Sequence, residues 1–151
     1  THMKSNLPLV AVRSRGMTLI ELTVVILVLL LLISIMFIGA SAWKRGSSRA
    51  TCIMNMRNFQ LATRSYQNMY GYYFGGQPRL EYGTQDIARH LLEKDFISQS
   101  LYDQAKGNKP CAGGGAYGIT APSMFPMPGD LYMNCSLSGA GKHAPDNTAS
   151  W

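Results

Sequence analysis

From Leu22 to Trp43 the chain has no charged residue, no proline and a single glycine, Gly39. Its hydrophilic interruptions are Thr23, Ser34 and Ser41, whose hydroxyls can bond back to a helix carbonyl. The hydrocarbon core of a bilayer is about 30 Å thick and a helix rises about 1.5 Å per residue, so a run of about 20 apolar residues crosses it. The run therefore predicts a transmembrane helix over about 20–43. One acid, Glu21, stands at its start. A lone carboxylate beside hydrocarbon is costly unless it finds a partner, so Glu21 needs one.

The helical pattern continues past the span. After Lys44-Arg45-Gly46, the residues Cys52, Met56, Phe59, Ala62 or Thr63, Tyr66 and Met69 recur at spacings of three and four, which places one apolar stripe on a helix. Arg49, Arg57, Arg64, Asn58 and Gln67 fall mainly on other faces. No proline interrupts the pattern, and Gly71 stands where a helix usually stops. One helix from about Met17 to about Tyr70 is the expectation. Its first half must find packing in lipid or in sister subunits, and the stripe on its second half must be covered by the rest of the chain.

The stretch Arg13-Ser-Arg-Gly-Met-Thr-Leu-Ile-Glu-Leu22 precedes the span directly. Within it, Gly16-Met17-Thr18-Leu19-Ile20-Glu21-Leu22 resembles the N-terminal signature of type IV pilin-like proteins, which include pilins and the pseudopilins of type II secretion. The resemblance implies that a prepilin peptidase cuts after Gly16, that Met17 becomes the N-methylated terminus, and that Glu21 pairs with the Met17 ammonium of a neighbouring subunit. Opposite charges in an apolar bundle then neutralise each other. Two features depart from the family pattern. Met17 replaces the usual phenylalanine, and no proline lies between Met17 and Pro78 to bend or melt the helix.

The resemblance divides the chain into a basic leader over 1–16, a long helix over 17–71 and a small head over 72–151. Thr1-His2, ahead of Met3, reads as a cloning remnant or a truncated start and is set aside. The leader carries Lys4, Arg13 and Arg15 and no acid; residues 44–71 carry Lys44, Arg45, Arg49, Arg57 and Arg64, again with no acid. Basic flanks on both sides leave orientation open to charge rules. The resemblance implies a cytoplasmic leader, a single pass through the inner membrane and an extracytoplasmic head, followed by assembly into a periplasmic pseudopilus or a surface pilus. The implied partners are the prepilin peptidase, an inner-membrane assembly platform, sister subunits and the lipid bilayer. A cleaved secretory signal ending at Gly39-Ala40-Ser41-Ala42, or a plain uncleaved anchor, leaves Glu21 without an explanation.

The head reads as α+β. Residues 70–79 form a turn-rich aromatic connection. A short helix starts from Thr84 as N-cap, with Ile87, Ala88, Leu91 and Leu92 as its apolar face and His90 on its polar side. Glycine and proline then rule out helix through 113–129. Residues 115–121 and 130–137 alternate as strands of an antiparallel pair, and the tail from Ser138 to Trp151 is irregular. The pattern of Cys111 to Tyr117 followed by Cys135-Ser-Leu loosely resembles the C-terminal hairpin of some pseudopilin-like proteins.

Three cysteines allow three single-bridge pairings. A disulfide is permitted outside the cytoplasm, and Cys111 and Cys135 bracket the hairpin, so they are the candidate pair. Cys52, in the helix stripe, reads as a buried thiol. No metal site is assigned: zinc would need closer spacing and a histidine, and only His143 lies near. Asp130 and Asp146 are too few oxygen donors for calcium. No cofactor is expected. The chain lacks a nucleophile elbow, a His-Glu-x-x-His motif and a phosphate loop, so the reading is not an enzyme. A structural filament subunit is the leading class; a partner-binding single-span protein and a DNA-uptake pilin are the alternatives. The basic stretch beside the membrane more simply meets acidic lipid head groups than nucleic acid.

Overall fold

The structure is a computed structural model and describes residues 16–139 and 142–151. The leader therefore lies outside the described residues except for Gly16. Five elements follow in order: α1 (Leu19–Tyr70), α2 (Ile87–Glu93), α3 (Gln99–Ala105), β1 (Tyr117–Ile119) and β2 (Met133–Cys135). The chain falls into two compact units divided after Ala40.

In the first unit, α1 exposes every side chain from Leu19 to Ala40. It is long and apolar enough to cross a membrane. The polar interruptions are absorbed locally: Thr23 Oγ1 donates to the Ile20 carbonyl at 2.9 Å and Ser34 Oγ to the Leu30 carbonyl at 2.8 Å. No hydroxyl is thus left unbonded on this apolar surface at either position.

The second unit is a small α+β head built on the remainder of α1. The stripe is buried at Cys52, Met56, Phe59, Ala62, Thr63 and Tyr66. It departs from expectation at its end, where Met69 is exposed. The helix ends just beyond it: Gly71 takes φ 69° and the Tyr72 N–H returns to the Gln67 carbonyl at 2.9 Å, a Schellman stop. Gln67, expected on another face, is buried. The cover comes from α2 through Ile87, Ala88 and Leu91, from α3 through Ala105, and from Phe125, Tyr132 and Met133. Phe59 stacks on Tyr132 at 5.6 Å between ring centroids. Tyr66 meets Tyr72, Phe96 and Phe125 at 5.6, 5.7 and 6.0 Å.

The antiparallel pairing of the two strands is present, with Tyr117 opposite Cys135, Gly118 opposite Asn134 and Ile119 opposite Met133. Each strand is three residues long, shorter than the expected segments. Much of the connection is held by buried Gln60 on α1. Its Nε2 donates to the Asp130 carbonyl and its Oε1 accepts the Tyr132 N–H, both at 2.9 Å. A side chain thus replaces the ladder partners these backbone groups would otherwise need.

Three local readings are corrected. The N-cap of α2 is Asp86, whose carboxylate accepts the Ala88 N–H, while the Thr84 hydroxyl accepts the Asp86 N–H. Helix α3 was not anticipated; Ser98 caps it by accepting the Leu101 N–H. His90 is fully buried rather than solvated. Its Nδ1 lies 3.1 Å from the Tyr66 hydroxyl, and its Nε2 lies 3.1 and 2.9 Å from the Glu81 and Thr84 carbonyls. The turn at 81–84 folds back over α2 and supplies carbonyls to a ring that would otherwise face water.

Candidate functional site

Two groups of residues carry candidate chemistry, one in each unit. The first is the start of α1. Gly16 and Met17 precede the helix and are exposed. Thr18 is the N-cap and Glu21 stands three residues on. Thr18 Oγ1 accepts the Glu21 N–H at 3.3 Å, and the Glu21 carboxylate accepts the Thr18 N–H at 3.0 Å and its hydroxyl at 3.1 Å. This reciprocal arrangement is a capping box, which satisfies helix-end N–H groups that have no partner within the helix. Its sequence form, Thr-x-x-Glu, is legible in residues 18–21 and is the signal that marks this helix start. Within the monomer Glu21 therefore has a partner already, its own N-cap. The helix N-terminus also favours a negative charge at this position.

The second group is in the head. Cys111 and Cys135, the candidate pair, are brought together as buried free thiols with their sulfurs 3.7 Å apart. They do not stand alone. Buried Cys52 from α1 and buried His143 from the tail complete a cluster whose four ligand-type atoms all lie within 4.8 Å of one another. His143 Nδ1 is 3.8 Å from Cys111 Sγ.

Each member is placed by a different part of the chain. Cys52 belongs to the buried stripe of α1. Cys111 opens a tight loop closed by its own N–H on the Gly115 carbonyl at 2.7 Å and by the Gly114 N–H on the Cys111 carbonyl at 2.8 Å, with Gly114 at φ 87°. Cys135 ends β2. His143 is tied to the segment after β2 by its N–H on the Leu137 carbonyl at 3.1 Å. Gly113 packs so closely on the His143 ring that a Cβ there would collide with it.

The thiols differ in their surroundings. Burial pushes the Cys52 thiol up to about 12. Cys111 is also buried, but N–H groups of Gly113 and Gly115 directed at its sulfur, together with the neighbouring cysteines, hold it below the usual thiol range. Cys135 is raised by burial, although the Leu137 N–H opposes the shift.

The basic stretch of α1 is partly engaged inside the head. Arg64 donates to the Pro126 and Met127 carbonyls at 2.6 and 2.8 Å, and its guanidinium lies over Phe74. Arg49 pairs with Asp146 at 3.4 Å, and Arg57 lies over Trp151. These contacts fasten the tail and the loop before β2 to the helix. No family model, curated protein or solved structure matches this chain.

Proposed function

We propose that the chain is a pilin-type or pseudopilin-type structural subunit, cut after Gly16 by a prepilin peptidase, methylated at Met17 and polymerised in the membrane through α1. The single observation that carries this reading is the chemistry at the start of α1: a carboxylate follows a Gly-Met junction and leads directly into a helical surface that is free of charge from Leu22 and exposed through Ala40. A helix with no covered face in the monomer needs lipid or other helices around it. Bundling such helices buries Glu21, and the nearest chemistry able to compensate it is the ammonium created by cleavage before Met17. The head rides outside the membrane, and inner-membrane assembly machinery builds the filament. The functional role is mechanical, not enzymatic.

Mass spectrometry on chain co-expressed with a prepilin peptidase tests the reading. The expected product begins at Met17 and carries a methyl group. An intact leader in a peptidase-positive host counts against it, and Gly16→Leu should block the cut, because the protease must accept bare backbone there.

A further inference from the structure

We propose that Cys52, Cys111, Cys135 and His143 form a structural zinc site that ties the head to α1. The four residues are distant in sequence but converge as buried groups, with all their ligand-type atoms within 4.8 Å of one another. Three thiolates and one imidazole form a recognised structural zinc set, usually tetrahedral and closed to solvent. At a Zn–S distance of about 2.3 Å, the edge of a regular tetrahedron is about 3.8 Å, and a Zn–N distance of about 2.1 Å shortens a mixed edge slightly. The Cys111–Cys135 and Cys111–His143 separations, 3.7 and 3.8 Å, match such edges. A covalent S–S bond is about 2.05 Å long and would engage only two of the four groups. Soft sulfur donors with an imidazole suit zinc better than magnesium or calcium, which take oxygen.

The surroundings can offset the charge of an anionic metal centre. On loading, three thiol protons leave as Zn²⁺ enters and the imidazole gives a neutral nitrogen lone pair, so the centre carries one net negative charge. Lys44 and Arg45 line the cavity beside His143 and supply the opposite sign. All four positions of the tetrahedron are taken by protein, which leaves none for substrate and assigns the ion a structural role. The ion would join α1, the Cys111 loop, β2 and the tail, in a head whose strands are only three residues long. The site stands on the head alone and is independent of processing and assembly.

The test uses the full chain in detergent, isolated with a phosphine reductant present for the metal measurements; a parallel sample lysed without reductant and with a thiol-blocking reagent serves the peptide mapping alone. Elemental analysis of protein prepared with zinc should find close to one equivalent per chain. Cobalt(II) should give the intense visible bands of a tetrahedral ion and a thiolate-to-cobalt charge-transfer band in the near ultraviolet. His143→Cys should keep the metal and strengthen the charge-transfer band, because four thiolates also hold zinc. His143→Ala and Cys52→Ser should bring retained zinc to background after dialysis against chelator. Wild-type chain that takes up neither zinc nor tetrahedral cobalt overturns the proposal whatever the variants do. So does peptide mapping that finds Cys111 bridged to Cys135 in most of the chain, since the bridge removes two of the four ligands.

Discussion

Glu21 has two roles open to it, and they ask different things of the side chain. As the fourth residue of the capping box it needs only an acceptor for the Thr18 N–H, which it provides at 3.0 Å. As the partner of a neighbouring Met17 ammonium it needs a negative charge. Glutamine serves the first role and not the second. Glu21→Gln should therefore leave the helix start intact and be cleaved, yet fail to form filaments, as Glu21→Val should. Removing one side of a buried ion pair costs about 3–5 kcal/mol, enough to stop an incoming subunit from docking. Electron microscopy of sheared filaments reads the outcome. Wild-type filament levels from Glu21→Gln would assign the residue to capping alone.

At the scale of the element, the second half of α1 acts as a template for chain that cannot organise itself. The segment between β1 and β2 carries Pro122, Pro126, Pro128 and Gly129 and has little regular structure of its own. Gln60 compensates by pairing with both the Asp130 carbonyl and the Tyr132 N–H from within the core. Gln60→Leu keeps the volume nearly constant and leaves the buried Tyr132 N–H without a partner, while water can reach the Asp130 carbonyl. At about 1–3 kcal/mol for a buried unpaired group, a loss of about 1–3 kcal/mol is expected. Chemical denaturation followed by Tyr and Trp fluorescence measures it; a change below about 0.5 kcal/mol would show that water replaces the amide. His90 plays a similar part in α2, where its buried ring joins Tyr66 to the 81–84 turn.

At the scale of the molecule, the two units have opposite solvent requirements. Residues 41–151 bury a core of their own, whereas the helix over 19–40 buries nothing in the monomer. The apolar unit should hold the chain in membranes through an alkaline carbonate wash, with the protein detected in the pellet. Release into the supernatant would remove the basis for a span. A periodic apolar stripe on a helix is a strong sequence signal, and for this reason the buried positions Cys52, Met56, Phe59 and Tyr66 were visible before the fold was known. Gln60 and Gln67 were not, because a polar side chain is buried only when distant chain supplies its partners.

The sequence by itself determined the parts governed by local physics. These are the uninterrupted apolar helix, its stop near Gly71, the exclusion of helix by glycine and proline after residue 113, and the antiparallel pair that follows. The first three depend on residues within a few positions of one another, so composition and period suffice to read them; the pair is legible from alternation on either side of a proline- and glycine-rich loop. Tertiary structure decided what depends on convergence. Cys52 and His143 are separated by most of the head in sequence, and nothing in their spacing places them around Cys111 and Cys135. Packing α1 against the hairpin and drawing the tail back through His143 creates that cluster. His90 is buried and Met69 exposed for the same general reason, because burial is set by which surfaces the rest of the chain covers: the 81–84 turn covers the first and leaves the second open.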